Sequence, residues 1–160
     1  MLSVIGTALI CSSVLGFGFY YVSSFNREKE CLSELLTLFK RIKTRIECFK
    51  QPLSDIYADF SSPALDRIGF NTDLKESSLD FVLSKHRKSL QIRDSIFTIL
   101  HEFASSLGKS YASEQIDLCR TYISRLEDEL SEIEKDLNTK TKPGLTLSAA
   151  IASVCAIMLL

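Results

Sequence analysis

Two stretches of this 160-residue chain hold no charged side chain: Met1 to Asn26 and Pro143 to Leu160. All 19 basic and 20 acidic residues therefore stand between Arg27 and Lys142, so an ordinary charged sequence is flanked by two apolar segments. Other absences narrow the function. There are no Val-Thr-rich alternating runs, no Asn-Gly hairpin signals and no internal repeat, which excludes a sheet or a solenoid as the natural reading. Neither G-x-x-x-x-G-K-S/T nor G-x-G-x-x-G occurs, and no G-x-S-x-G elbow, so phosphate cradling and acyl transfer have no recognisable apparatus. His101-Glu102 begins like the zinc motif H-E-x-x-H, but position 105 is Ser and the only other histidine is His86. No cofactor, metal or enzymatic activity is expected.

Cysteine is scarce and badly spaced for chemistry. Cys11 and Cys155 lie inside the apolar segments, and Cys31, Cys48 and Cys119 are an odd set without C-x-x-C spacing. That suggests neither a disulfide framework nor a zinc site, and buried free thiols are the expectation. A formal net charge of −1 gives no reason to expect nucleic acid.

What the chain does have is length in its apolar ends. Leu2 to Phe25 is long enough for a hydrocarbon core of about 30 Å, with Phe19, Tyr20 and Tyr21 suited to an interface. A cleaved signal peptide is the alternative for this segment, against which stand the absence of a basic n-region before it and of a small-x-small cleavage site after it. Gly144 to Leu160 is shorter and spans only if the bilayer thins or the helix stands upright. Arg27 and Lys29 border one segment and Lys135, Lys140 and Lys142 the other. Under the positive-inside rule the middle is cytoplasmic and both termini point outward. The expected domains are a transmembrane helix at 1–25, a cytoplasmic bundle at 26–142 and a second transmembrane helix at 143–160.

Helical periodicity dominates the middle. From Ser113 to Leu137 the apolar positions Ile116, Cys119, Ile123, Leu126, Leu130, Ile133 and Leu137 keep a heptad rhythm, that of a helix burying one narrow seam against another helix. Ser113 is the expected N-cap, with Glu114 in the first turn. A partner of similar length exists: Leu32, Leu35, Phe39, Ile42, Ile46 and Phe49 repeat the rhythm. Residues 27 to 49 then continue the first apolar helix, end before Pro52, and run antiparallel to the last helix.

Between them, Pro52 opens a short helix carrying Leu53, Ile56, Tyr57 and Phe60 on one side. Ser61, Ser62 and Pro63 break it, and a helical turn or loop reaches Asn71. A helix over Leu74–Lys88, capped by Asp73, directs Leu79, Phe81, Val82 and Leu83 inward. Another over Leu90–Leu107 buries Ile92, Ile96, Ile99, Leu100, Phe103 and Leu107, and Gly108 follows where a left-handed C-cap is needed. The fold class is all-α: a membrane-anchored antiparallel bundle of about five to six helices with an apolar membrane helix at each end.

Two charge features stand out. Glu127, Asp128, Glu129, Glu132, Glu134 and Asp136 read as a solvated helix face. Lys40, Arg41, Lys43 and Arg45 cluster on the outer half of the first helix of the middle, opposite the start of the last helix, where that acidic run is expected not to neutralise them. They form a candidate surface for a cytoplasmic partner.

Phe103-Ala104-Ser105-Ser106-Leu107-Gly108-Lys109-Ser110, then Gln115, a long acidic helix and a short apolar tail, resemble the stage III sporulation protein AB family. That family has a comparable Phe-Gly-x-x-Leu-Gly-x-Ser turn, a downstream Gln and apolar ends; Gln51-Pro52-Leu53 resembles its Pro-Leu step. Ala104 stands where the family usually has its first glycine, and Tyr111 where it usually has an acid. The resemblance marks Leu107, Gly108 and Gln115 as a structural turn. It implies a membrane component of the secretion-like channel between mother cell and forespore, on the mother cell side of the outer forespore membrane. Its cytoplasmic part would be similar to the platform protein domains of type II secretion and type IV pilus systems. The implied partners are a secretion-type ATPase, similar to stage III sporulation protein AA, and other channel membrane proteins. A small pore-forming or holin-like protein is an alternative, but it needs polar residues inside its spans, and these offer Ser, Thr, Cys and Gly. A membrane-anchored helical adaptor unrelated to sporulation is another.

Overall fold

The computed structural model describes residues 2–109, 111–137 and 139. Among the described residues there are seven helices and no strand: α1 Leu2–Phe49, α2 Leu53–Ala58, α3 Pro63–Asp66, α4 Phe70–Glu76, α5 Leu79–Leu90, α6 Asp94–Ser106 and α7 Ala112–Asp136. The all-α expectation holds, with more and shorter pieces in the middle. Two compact units share the chain, one drawn from Met1–Arg27 and Glu132–Leu160, the other formed by Glu28–Ser131.

In the second unit α1 supplies much of the core. Leu32, Leu35, Leu36, Leu38, Phe39, Ile42 and Ile46 are all buried. At about 100° per residue they cover an arc of roughly 160°, wider than a two-helix seam. The reason is that α1 has several neighbours: Phe39 packs on Phe103 of α6 with the rings tilted and their centroids 4.0 Å apart, and Phe103 leans on Tyr122 of α7 at 5.7 Å. On α7 Cys119, Ile123 and Leu126 are buried as a narrow stripe, while Ile116, Leu130 and, just past the helix, Leu137, also placed in the seam, are half-buried. The two helices run antiparallel within this unit: Lys40 reaches Glu127 at 2.7 Å, while Ile46 shares a groove with Ala112 and Gln115.

Several expectations are corrected. Phe49, placed in the seam, is 66% exposed and lies under the Arg45 guanidinium, 5.6 Å from the ring centroid. The Leu74–Lys88 helix is two helices, because Ser77 is extended and Ser78 caps α5 by accepting the Phe81 N–H on its hydroxyl. Asp73 lies inside α4 and caps nothing. Phe81 is 57% exposed, since Leu79, Val82, Leu83, His86 and Leu90 occupy the opposite side of α5. α6 begins at Asp94 and not at Leu90: Gln91 is left-handed and Ile92 is buried in the linker. α7 starts at Ala112, so Ser113 sits in its first turn; the Tyr111 carbonyl accepts the Gln115 N–H. One reading stands: the helical turn expected before Asn71 is α3, with Ser62 as its N-cap accepting the Leu65 N–H. Cys31 is half-buried and Cys48 exposed, leaving Cys119 as the one buried thiol among the described cysteines.

Candidate functional site

At one end of the second unit two chain reversals face each other. α1 stops where Lys50 turns left-handed, at φ 49°, and its N–H closes on the Ile46 carbonyl at 3.2 Å, an αL-type helix end. Pro52, at φ −66° and ψ 150°, then serves as N-cap of α2, and its carbonyl accepts the Asp55 and Ile56 N–H groups. The terminator is thus Lys50, two residues ahead of the proline held responsible above.

The opposing reversal joins α6 to α7. Leu107 closes the last turn by donating its N–H to the Phe103 carbonyl at 3.0 Å, then leaves the helix at φ −68° and ψ 135°. Gly108 follows at φ 82°. Left-handed Gly108 is as expected, but an extended residue followed by a left-handed one is the signature of a type II turn, not of a glycine C-cap directly on the helix. A Cβ at position 108 would lie 3.5 Å from Leu53 Cδ1, so the two reversals are in van der Waals reach.

Between them is an open groove of about 310 Å³. Ile46, Pro52, Leu53 and Ala112 give it an apolar lining, Gln51, Lys50 and Gln115 its polar atoms, and Gly108 an open edge. Both stretches that carry the family resemblance, Gln51-Pro52-Leu53 and Leu107-Gly108 with Gln115, converge here. Sequence reading marked each as a turn and missed that they meet. The available signal was the pairing itself: two reversals, at the end of one long helix and the start of its antiparallel partner, must lie side by side.

The four basic residues do not form one cluster. Lys40 pairs with Glu127, so the acidic run does reach this surface, contrary to expectation. Arg45 donates to Gln51 Oε1 at 3.1 Å and stands 4.0 Å from Asp59. Lys43 lies near Cys119, whose thiol burial pushes up to about 11 against the pull of that ammonium. Burial, with Cys119 beside it, raises the Tyr57 hydroxyl well above its ordinary value. Both groups are neutral and chemically quiet at pH 7.

Two ion-pair sites escaped the sequence reading. Glu28, 8% exposed, accepts the Arg93 backbone N–H at 2.9 Å and its Nε at 3.0 Å, so a carboxylate from α1 sits on the N-terminus of α6. Its signal was positional: Glu28 lies one turn before Leu32 on the buried side of α1, where a carboxylate demands a partner. Asp73 Oδ2 is held by Lys85 Nζ at 2.7 Å and His86 Nε2 at 2.5 Å, and the Lys85 bond leads in pulling its carboxyl below the ordinary range. His101 meets Asp80 at 2.7 Å, and Glu102 accepts from Arg125 at 3.3 Å. No group of three or more His, Cys, Asp or Glu able to hold a metal occurs among the described residues.

No helix among the described residues is long and apolar enough to cross a membrane. The expected span at Gly144–Leu160 lies outside the described residues, as do most side chains of Leu2–Phe25. Short and long helices joined by tight reversals, with a charge-free segment before and after, define an all-helical bundle protein. The chain belongs to the stage III sporulation protein AB family, whose model matches residues 3–160. That membership gives it a sporulation-associated role. No curated protein and no solved structure matches it.

Proposed function

We propose that the protein is a non-catalytic platform of a secretion-like channel between mother cell and forespore. Its charge-free ends anchor it in the mother cell's outer forespore membrane, and its helical middle, on the cytoplasmic side, couples a secretion-type ATPase to the membrane complex. The observation that carries this reading is the family match over nearly the whole chain, apolar ends included. Three features support it. The charge-free segments have the composition of membrane helices. The bundle between them is tied by buried apolar faces and ion pairs, as a rigid adaptor requires. Arg41, Lys43 and Arg45, half-buried on α1, keep positive charge on this side for an acidic partner, Arg45 being shared with Gln51 and Asp59.

The test is capture. Full-length protein in nanodiscs is immobilised and offered the same organism's purified secretion-type ATPase, the one similar to stage III sporulation protein AA. Retention that weakens when Arg41, Lys43 and Arg45 are changed to Glu, with helical circular dichroism unchanged, supports the platform. No retention by the parent protein contradicts it.

A further inference from the structure

We propose that the groove between the α1–α2 and α6–α7 reversals is a docking site for an acidic partner segment. The segment inserts one apolar side chain, Leu or Phe, over Ile46 and Leu53 and sets a carboxylate against Lys50. This deepens the platform reading by naming the surface that receives the partner.

Size speaks first. A volume of about 310 Å³ is at the small end for ligand pockets, which run about 300–1,000 Å³. It suits an anchoring side chain with its flanking backbone, and it is too small for a whole helix. Charge speaks second. The lining holds one cation, Lys50, and no anion. Lys109 directly follows Gly108, and neither lysine has an ion-pair partner among the described residues. A segment with acids on each side of its anchor meets complementary charge, and a basic one meets repulsion.

Backbone strain is the third observation. Both reversals need a left-handed residue: at 108 it is glycine, but at 50 it is lysine. Lysine is not the residue that conformation favours. At the groove it presents an ammonium that glycine would not. Flanking the groove in sequence are two aromatic residues turned to water, Phe49 beside Lys50 and Tyr111, 83% exposed, beside Ala112.

The probe is the fluorescein-labelled peptide Asp-Glu-Leu-Phe-Glu-Asp, titrated by polarisation against the full chain in nanodiscs. Two comparison peptides replace the central pair by Ala-Ala or all four acids by Lys. Saturable binding of the first peptide alone is expected. Ala112→Phe, which fills the groove from an exposed position, should weaken it about tenfold, as loss of one anchor does. Lys50→Glu should do the same and improve binding of the basic peptide. No saturable binding overturns the proposal, and so does binding untouched by both substitutions. The same variants offered to the ATPase separate this proposal from the platform reading. Retention by Ala112→Phe and Lys50→Glu as firm as by the parent sinks the groove and leaves the platform. Peptide binding without ATPase retention by the parent does the reverse.

Discussion

Lys50 and Gly108 solve the same steric problem with different residues. At φ 82° any Cβ is strained, and at position 108 it would also rest on Leu53 at 3.5 Å, an ordinary contact. The penalty for replacing Gly108 is therefore one of backbone. Gly108→Asn should be mild and Gly108→Val should cost more than about 1 kcal/mol, because a β-branched residue at positive φ is the worst case. Thermal melts of the full chain should rank Gly, then Asn, then Val; a Val form as stable as the parent would contradict the turn. At position 50 the sign reverses. Lys50→Gly relieves the left-handed lysine and should raise the melting temperature, by up to about 1 kcal/mol in stability. Asp73 acts through pH. Its carboxyl is held below the ordinary range by Lys85 and then His86, so the folded state binds its proton less readily than the unfolded chain. That stabilisation is present above the ordinary carboxylate pKa of about 4 and is lost as pH falls through the lowered value. Asp73→Asn should flatten this acid limb in melts taken below about pH 4. An unchanged limb would mean the three groups do not interact in solution.

Among the elements, α1 and α7 were legible because long amphipathic helices carry many turns of pattern. The heptad positions Leu32, Leu35, Phe39, Ile42 and Ile46 of α1 and Cys119, Ile123 and Leu126 of α7 are buried, while Phe49 is exposed and Ile116, Leu130 and Leu137 are half-buried. What the heptad hid was breadth: Leu36 and Leu38 belong to a wider face that only a multi-helix core explains. The region from Pro52 to Ile92 was less legible because its helices are one to three turns long, too short for periodicity, and their ends rest on single caps such as Ser62 and Ser78. Of the candidate site, both turns were visible and the antiparallel pairing of α1 and α7 implied their meeting; which side chains line the groove between them is a tertiary fact that no local pattern carries. Two substitutions test the elements. Leu126→Asp buries an unpaired carboxylate in the α7 stripe and should cost several kcal/mol; an unchanged melting temperature would remove that stripe from the core. Glu28→Ala leaves the Arg93 N–H and guanidinium without their acceptor, and about 2 kcal/mol of destabilisation is expected. In a double-mutant cycle with Arg93→Ala the coupling should exceed about 1 kcal/mol. Additive effects would show that α1 does not hold the start of α6.

For the whole molecule, the account joins a family, a bundle and two charge-free segments into one claim: a platform held in a membrane whose helical middle receives an ATPase on the cytoplasmic side. The proposed topology rests on the basic residues bordering both segments, Arg27 and Lys29 on one side and Lys135, Lys140 and Lys142 on the other. A reporter active only outside the cytoplasm should therefore signal from the extreme C-terminus and stay silent when inserted beside exposed Lys109. The opposite pattern would invert the protein. The most direct measurement is made in sporulating cells. The chain, tagged and expressed at its native level, is isolated from solubilised membranes during engulfment, and the proteins retained with it are identified by mass spectrometry. The account predicts that the tagged chain is found in the membrane fraction and enriches the secretion-type ATPase together with channel membrane proteins. Recovery of the chain from the soluble fraction, or from membranes with no enrichment of that ATPase, would contradict it.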